Sequence, residues 1–155
     1  MKGEYMIIVG IDPGNNGGIS LIRNGKLIFA DHLPIVGKTV SGHLLNNWFA
    51  DIEPDTPDMV VVEQVHAMPK QGVSSTFAFG RAVGIIEGVI AARGLPIHWV
   101  TPQRWKKAMG VTSDKNTSRQ QAINLWPEAA DMFARVKDAD RAEAALIAEW
   151  YRRTQ

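Results

Sequence analysis

Residues 6–16, MIIVGIDPGNN, decide how the rest of the chain is interpreted. The branched apolar run at 7–11 is typical of a strand that is buried on both faces. Asp12 closes this run, and the Pro-Gly pair that follows it ends the strand. A carboxylate in this position is costly to bury unless a cation or hydrogen-bond donors meet it. The stretch therefore predicts either a site for a metal ion or a phosphate at Asp12, or a carboxylate that only caps its own turn.

The composition limits the class of protein. A length of 155 residues suits one domain with a substantial core, so we expect a single domain over residues 1–155. The chain has no cysteine, which leaves carboxylate and imidazole as metal ligands. Residues 1–6 lack the pattern of a signal peptide, and no apolar run approaches the roughly 20 residues of a membrane span. We therefore predict a cytoplasmic protein without a membrane partner. The net charge of +1 does not by itself indicate a nucleic-acid partner.

Strand and turn signals follow the opening stretch. The apolar segments at 17–22 and 26–30 flank Asn24-Gly25, a strong hairpin signal because both residues tolerate positive φ. Together with the first strand they predict three antiparallel strands. A polar loop is predicted at 31–39, followed by a helix that is capped by Ser41.

The run at 59–62 repeats the opening pattern, because it is apolar and ends in Glu63. A strand–helix–strand order usually places the two strands in parallel. If the two strands are neighbours, Asp12 and Glu63 meet at one edge of the sheet. With a further strand at 97–100, the pattern predicts an α/β fold in which helices flank a mixed, five-stranded sheet.

A helix predicted at 75–92, with Ser74 or Ser75 as its cap, carries small residues every four positions: Gly80, Gly84, Gly88 and Ala92. Glycine inside a helix costs about 1 kcal/mol relative to alanine. The repeated small residues therefore indicate the close approach of another element. Two interpretations stay open, packing within the monomer and a homodimer interface.

The segment 101–119 is basic, and Trp105 lies among its charges. A basic cluster with an interleaved aromatic residue is typical of surfaces that bind a phosphate backbone, although lysine-rich helix faces are often only solvated. The candidate nucleic-acid contacts here are Arg104, Lys106, Lys107, Lys115 and Arg119. Ser113 or Asp114 is the predicted cap of the next helix.

The last predicted helix begins near Asp138 and carries acidic residues on an apolar face. Glu143 shares this face with Leu146 and Trp150, and Asp140, three residues earlier, joins the same stripe. Charged side chains normally avoid the apolar face of an amphipathic helix. These carboxylates are therefore predicted to point toward the strand ends. For Asp138 a plain helix cap is the alternative.

The carboxylates predicted to converge are Asp12, Glu63, Asp140 and Glu143, with Asp138 as a further candidate. Such a group raises its own pKa values unless cations are present. Mg²⁺ and Mn²⁺ prefer oxygen ligands and fit this site. Two such ions can activate a water and stabilise the leaving oxygen of a phosphodiester, so neither a protein nucleophile nor an organic cofactor is required.

Five motifs span nearly the whole chain: GIDPG at 10–14, VVVEQVHA at 60–67, FAFGRAVGIIEGVI at 77–90, TPQRWKK at 101–107 and KDADRAEAALIAEW at 137–150. In these motifs and their order the chain resembles the RuvC-type Holliday junction resolvases of the RNase H-like superfamily, in particular the compact bacterial and phage-encoded branch. The resemblance implies an RNase H-like fold and a homodimer that cuts paired strands of a four-way DNA junction. It also implies two divalent metal ions per active site.

The resemblance further implies the metal ligands. Asp12 matches the ligand of the first strand and Glu63 the ligand that ends the fourth strand. Glu143 matches the last acidic position, and Asp140 matches its usual partner on the helix. Some relatives keep an acid at the place of Asp138 instead, so the choice between Asp138 and Asp140 stays open.

DNA contacts are implied in the same way. Lys106 and Lys115 match basic positions that face the scissile strand, and Arg81 is a further candidate contact. His66 stands where better-known bacterial members carry an aromatic residue that wedges at the crossover. Because an imidazole buries less apolar area, we expect a different junction distortion or sequence preference.

Other functions compete with junction resolution. A less selective nuclease of the same fold would cut branched or flapped DNA, or RNA–DNA hybrids. A protein that binds junctions without cutting them predicts an incomplete set of carboxylates. IDPGNNGG at 11–18 is also similar to a phosphate-binding loop of actin-like ATPases and sugar kinases. Those proteins need a second phosphate loop and a second, similar domain.

Overall fold

A mixed sheet forms the centre of the structure, a computed structural model that describes residues 5–14 and 16–155. Residues 1–4, part of the segment predicted to lack a signal peptide, and Asn15 lie outside the described residues. The strands are β1 (Ile7–Asp12), β2 (Gly18–Arg23), β3 (Lys26–His32), β4 (Ile35–Val36), β5 (Thr39–Val40), β6 (Met59–Glu63) and β7 (Ile97–Val100). The helices are α1 (Gly42–Asp51), α2 (Val73–Ala92), α3 (Pro102–Met109), α4 (Lys115–Leu125) and α5 (Ala139–Arg153), and two 3-10 turns cover Pro127–Phe133 and Val136–Asp138.

The strand order in the five-stranded sheet is β3-β2-β1-β6-β7. β1, β2 and β3 are antiparallel neighbours, whereas β6 lies parallel to β1 and β7 parallel to β6. The predicted mixed sheet, three antiparallel strands followed by parallel ones, is therefore confirmed. Ile11 pairs with Val62, so the next residues along, Asp12 and Glu63, lie at the same edge of the sheet.

Each face of the sheet has its own apolar core, because side chains alternate between the faces along each strand. Ile8 and Val61 point to the layer that contains α3, α4 and α5. Val9 and Val62 point to the opposite layer, which contains α1 and α2. Because β1 and β6 are buried on both faces, side chains of either orientation are apolar, and this explains the unbroken apolar runs in the sequence.

Two local predictions were wrong. The segment 31–39 is not only a loop, since β4 and β5 form a small hairpin with Gly37 at a positive φ of 67° between them. The predicted cap at Ser74 or Ser75 is replaced by Gly72, and α2 begins at Val73. The caps predicted at Ser41 and Asp114 are confirmed, because each side chain accepts a backbone hydrogen bond from its helix.

The small-residue face of α2 has no partner within the described part of the chain. A Cβ placed on Gly80, Gly84 or Gly88 would meet no described atom within 4 Å. Packing within the monomer is therefore the wrong interpretation of these glycines for the residues that the structure describes. By length and apolar composition α2 also resembles a membrane span, which for a single helix is weak support for a membrane protein.

Candidate active site

Carboxylates from three separate elements line one cleft at the end of the sheet. Asp12 ends β1, Glu63 ends β6, and Asp140 and Glu143 lie in the first turns of α5. All four are buried residues. The cleft has a volume of about 340 Å³, and its lining also includes Lys106 and Lys115. The structure thus brings together the four carboxylates that were predicted to converge, with two cations beside them.

Glycines in the sheet allow α5 to approach closely enough to deliver its acids. A Cβ on Gly10 of β1 would overlap the carbonyl oxygen of Ala144, and one on Gly18 of β2 would overlap that of Asp140. Ser20, also on β2, donates a hydrogen bond of 2.8 Å from its Oγ to the carbonyl oxygen of Ala144. Glycine within a strand commonly marks such a close backbone approach. These contacts position α5 relative to the strand ends.

Three of the carboxylates form a compact trio. Asp12, Asp140 and Glu143 each offer an oxygen, and these oxygens all lie within 4.8 Å of one another. Oδ1 of Asp12 also accepts a hydrogen bond of 3.1 Å from the backbone N–H of Gly14, which orients the carboxylate in the turn after β1. This spacing suits a single small cation bound by oxygen ligands.

Glu63 stands outside this trio and has a partner of its own. Nε1 of Trp105 donates a hydrogen bond of 2.6 Å to its Oε2, and both groups are buried. Trp105 was predicted to lie among the DNA-facing charges of its segment. That interpretation is wrong, because the ring lies in the core beneath α5 rather than on the basic surface.

Lysines and a serine contact the two acids of α5. Nζ of Lys115 lies 3.1 Å from Oδ1 of Asp140 and 3.7 Å from Oε1 of Glu143. Lys106 Nζ is 3.8 Å from Oε2 of Glu143, and the same oxygen accepts a hydrogen bond of 3.2 Å from Oγ of the buried Ser118. The site therefore holds two of its carboxylates with direct positive charge and hydrogen bonding.

The electrostatics of the cleft favour cation binding. Burial, together with the charges of Glu63 and Glu143, raises the pKa of Asp12 well above its ordinary value. Burial also raises the pKa of Glu63, against the lowering effect of the Trp105 hydrogen bond. Burial lowers the pKa of Lys115, but its hydrogen bond with Asp140 and the nearby carboxylates outweigh this and leave the pKa raised. Charge of both signs is thus concentrated in the cleft, with an excess of carboxylates.

Asp138 belongs to a different cluster. Its carboxylate accepts hydrogen bonds of 2.9–3.1 Å from the backbone N–H, Nε and the terminal nitrogen of Arg135. Arg141 Nε lies 3.9 Å and His32 Nε2 lies 3.7 Å from its Oδ1. Burial alone would raise the pKa of Asp138, but the hydrogen bonds and charge of Arg135 outweigh it and hold the pKa below its ordinary value. Its side chain is occupied by cations of this chain.

The candidate DNA contacts fall into three groups. Lys106 and Lys115 line the cleft, whereas Lys107, His66 and Arg81 are exposed outside it. His66 lines a neighbouring groove with Glu63 and Trp99. The remaining two candidates also make contacts within the chain. The guanidinium of Arg104 lies 5.8 Å from the ring centroid of Trp150, and that of Arg119 donates to the carbonyl oxygens of Phe133 and Ala134.

Sequence reasoning missed the residues that support the acids. Gly10 and Gly18 carried a usable signal, because each is a glycine within an apolar strand. Ser20 carried another, as a polar residue in a buried strand. Ser118 and the indole N–H of Trp105 carried none, since their partners are 25 and 42 residues away in the chain.

The donor set fits hard divalent cations. It consists of carboxylate oxygens that are buried, mutually close and only partly balanced by two lysines. Such oxygen-only sets suit Mg²⁺ or Mn²⁺ rather than softer metals, and the described site contains no imidazole or thiolate that would favour zinc or copper.

The mixed sheet of this order agrees with the RNase H-like fold that the motifs predicted. No protein-family model matches the sequence. Individual relatives do match: a protein of Corynebacterium efficiens named crossover junction endodeoxyribonuclease RuvC is 26% identical over 161 residues, covering 96% of this chain and 69% of its own. Its namesake in Mycobacterium leprae is 28% identical over 156 residues, covering 92% of this chain and 79% of its own.

Solved structures agree in fold. Thermus thermophilus RuvC in complex with a Holliday junction substrate superposes with a TM-score of 0.71 and 18% sequence identity, covering 96% of each chain. A structure described only as Thermus thermophilus RuvC gives a TM-score of 0.62 at 16% identity, again covering 96% of each. The chain is therefore similar to RuvC proteins in sequence and in fold over nearly its whole length, and the resemblance predicted from its motifs is confirmed.

Proposed function

We propose that this protein is a metal-dependent endonuclease that resolves four-way DNA junctions by paired, symmetric nicks. The observation that carries the proposal is the convergence of Asp12, Glu63, Asp140 and Glu143 in one cleft of an RNase H-like sheet. The relatives are named crossover junction endodeoxyribonucleases, and a structural neighbour was solved on a Holliday junction substrate. A protein that only binds junctions would not need this complete carboxylate set.

We assign the metal ligands as follows. Asp12, Asp140 and Glu143 would hold one divalent cation, and Glu63 with Asp12 a second, with Mg²⁺ as the natural ion and Mn²⁺ able to replace it. We assign Asp138 a structural role, because Arg135 already occupies its oxygens. When bound, the two cations would supply an activated water and stabilise the leaving oxygen of the phosphodiester.

The side chains of the site would do the rest of the work. Burial raises the pKa of Asp12 and that of Glu63, so protons compete with a cation for these oxygens more strongly than they do at free carboxyl groups. Lys106 and Lys115 lie at the cleft and offer ammonium groups to the scissile strand. Lys115 is also bound to Asp140, and this contact keeps it at the cleft before DNA arrives.

We further propose that the active unit is a homodimer formed through α2. No described atom lies within 4 Å of a Cβ on the glycines of its face, and Val73 and Phe77 at its front end are 89% and 74% exposed. Small residues allow two helices to pack closely, and apolar side chains of this size seldom remain exposed in a monomer. Two copies would supply the two active sites that paired nicks require.

The remaining assignments concern DNA and domain organisation. His66, Arg81, Arg104 and Lys107 would contact the arms of the junction outside the cleft, and Arg119 would act near the DNA while anchoring the 3-10 turn at 127–133. The chain would function as a single nuclease domain over residues 1–155 in the cytoplasm of a bacterial or phage-infected cell.

The decisive experiment incubates the protein with a synthetic junction that has a mobile core, in Mg²⁺ or Mn²⁺. Matched duplex, flap and RNA–DNA substrates run beside it. Asp12→Asn tests the carboxylate site, and Asp131→Asn, at an exposed acid away from the cleft, is the matched control.

Symmetric paired nicks in the junction, lost in Asp12→Asn with binding retained and kept in Asp131→Asn, would establish the proposal. Equal cutting of flaps or hybrids would replace it with a less selective nuclease. Binding without cleavage in either metal would show that the protein binds junctions without cutting them, and would overturn the catalytic assignments.

A further inference from the structure

Trp105 makes an unusual contact for a core tryptophan. Its ring is fully buried in the layer beneath α5, where Met109 and Trp150 belong to the same apolar cluster. Packing on all sides leaves the ring one orientation. In that orientation its Nε1–H donates to Oε2 of Glu63 over 2.6 Å, a short distance typical of hydrogen bonds to a charged acceptor.

This contact leaves Glu63 with one oxygen committed. A carboxylate has two oxygens, and Oε2 is held by the indole while Oε1 is not part of this bond. The neighbouring trio of Asp12, Asp140 and Glu143 is compact without Glu63. Glu63 therefore lines the same cleft and acts on Asp12 through its charge, but it does not complete one compact group with all three acids, and one of its oxygens is already held by Trp105.

We propose that Trp105 is a positioning residue that fixes Oε2 of the Glu63 carboxylate, so that Oε1 would be left to bind a cation that Glu63 shares with Asp12. The inference rests on the function proposed above. It adds that the separation of the two cation sites depends on a buried hydrogen-bond donor supplied by α3.

The physical reason is the freedom of a glutamate side chain. Glu63 has three rotatable bonds, and Lys106, whose Nζ lies 5.6 Å from the Trp105 ring centroid, is an alternative partner close by. Without a donor on Oε2, the carboxylate can turn toward Lys106 or toward the trio's cation. A rigid bicyclic ring that is locked by packing prevents both movements at once. Phenylalanine at this place keeps an aromatic ring and removes the donor.

Metal binding by the free protein tests the inference without DNA. Mn²⁺ is titrated into the wild type and into Trp105→Phe, with the number of bound ions and their affinities measured by calorimetry and by electron paramagnetic resonance. The matched control is Trp126→Phe. Trp126 is also buried, but its Nε1 donates to the carbonyl oxygen of Gly25, far from the carboxylates.

Loss of a partner that orients a metal ligand typically weakens metal binding about 10–100-fold. We expect this loss at one of two Mn²⁺ sites in Trp105→Phe, and wild-type binding at both sites in Trp126→Phe, whatever the change in melting temperature. Unchanged Mn²⁺ affinities in Trp105→Phe would overturn the inference.

A second variant covers the case in which Trp105→Phe fails to fold. Benzothienylalanine incorporated at position 105 keeps the shape of the indole and replaces its N–H by sulfur. The same weakening of Mn²⁺ binding at one of the two sites is expected for this variant. Wild-type affinity at both sites would overturn the inference.

Glu63→Gln separates this inference from the proposed function. If it leaves Mn²⁺ binding intact, Glu63 is not a ligand and the metal assignment itself fails. If it weakens one site while both position-105 variants bind normally, the assignment stands and only the role of Trp105 falls.

Discussion

Oγ of Ser20 on β2 donates a hydrogen bond of 2.8 Å to the carbonyl oxygen of Ala144 on α5. Ala144 directly follows Glu143 in the chain. The carbonyl that Ser20 binds is the one that a Cβ on Gly10 would overlap. The Ser20 hydrogen bond therefore holds the turn of α5 that carries Glu143 against the sheet, and the missing side chains of Gly10 and Gly18 leave the space for this close approach. This contact fixes how deeply the helix acids enter the cleft.

Replacement of Gly18 by alanine tests the close approach of α5. The new Cβ would overlap the carbonyl oxygen of Asp140, so either the strand or the start of the helix must move. We expect a loss of about 1–3 kcal/mol in the free energy of unfolding, together with reduced junction cleavage. Chemical denaturation and a cleavage assay measure the two effects. Gly72→Ala is the control, since no described atom lies within 4 Å of its Cβ; equal behaviour of the two variants would contradict the prediction.

Ser118→Ala tests the orientation of Glu143. The change removes the buried hydrogen bond to Oε2 and leaves Lys106 and Lys115 as the remaining contacts. We expect cleavage at limiting Mg²⁺ to fall about 10-fold, with partial recovery at high Mg²⁺. Ser113→Ala, at an exposed site nearby, should cut normally. A Mg²⁺ dependence identical to that of the wild type would show that Ser118 has no part in holding Glu143.

The pH dependence of stability follows from the raised pKa of Asp12. A carboxyl whose pKa is higher in the folded state than in the unfolded state contributes stability below its unfolded value, which is near 3.8. That contribution is lost as the pH rises through the folded value. In chelator, Asp12→Asn should therefore melt above the wild type at neutral pH, and the difference should shrink on acidification. The measurement is the melting temperature of both proteins between about pH 4 and pH 8.

A divalent cation should reverse the order of the two melting temperatures, so that the wild type melts above Asp12→Asn. Because Mn²⁺ binds the folded site, it should raise the melting temperature of the wild type and leave Asp12→Asn nearly unchanged. Asp131→Asn, at an exposed acid, should follow the wild type with and without the ion. A variant that melts below the wild type in chelator at neutral pH would show that Asp12 is not a destabilising buried charge.

Gly84→Arg tests the proposed dimer through α2. No described atom lies within 4 Å of a Cβ at this position, so the monomer should tolerate the side chain, whereas a second helix packed there should not. We expect a shift from dimer to monomer in sedimentation velocity and the loss of paired nicks. Ala50→Arg, on an exposed position of α1, is the control. A wild type that sediments as a monomer at high concentration would remove the dimer from the proposal.

The lysines of the cleft should govern the salt dependence of DNA binding. Removal of one lysine–phosphate contact reduces the slope of log affinity against log salt concentration by about one. Lys106→Ala with Lys115→Ala should therefore reduce the slope by about two and impair cleavage. Filter binding or fluorescence anisotropy over a range of salt concentrations measures this. Lys26→Ala, at the exposed start of β3, should leave both unchanged; an unaltered slope in the double variant would remove both lysines from the DNA surface.

Local patterns were enough to predict the strands and most of the caps. The Asn24-Gly25 turn has positive φ at both residues, and the apolar runs ending in Asp12 and Glu63 became parallel neighbours. Such features depend on residues close together in the chain, which is why they can be read without the structure. The hairpin of β4 and β5 was missed because two-residue strands carry almost no periodic signal.

The basic segment shows where local reading fails. Trp105 shares its helix with Arg104 and Lys106, and a linear reading groups them as one surface. The helix instead places Trp105 toward the core, Arg104 toward solvent and Lys106 at the cleft, because successive residues on a helix point about 100° apart. Which face of α3 meets the core is decided by the sheet and α5, elements distant in sequence.

The sequence alone determined the five strands of the main sheet and which acids end the apolar runs, because these depend on side-chain alternation and on residues near one another. Tertiary structure alone decided how the acids divide: Asp12, Asp140 and Glu143 in a compact trio, Glu63 held by Trp105, and Asp138 held by Arg135. Distances of a few ångströms between carboxylates arise from how α3, α4 and α5 pack on the sheet. Packing of that kind depends on contacts between distant segments, such as those of Gly18 and Ser20 with α5.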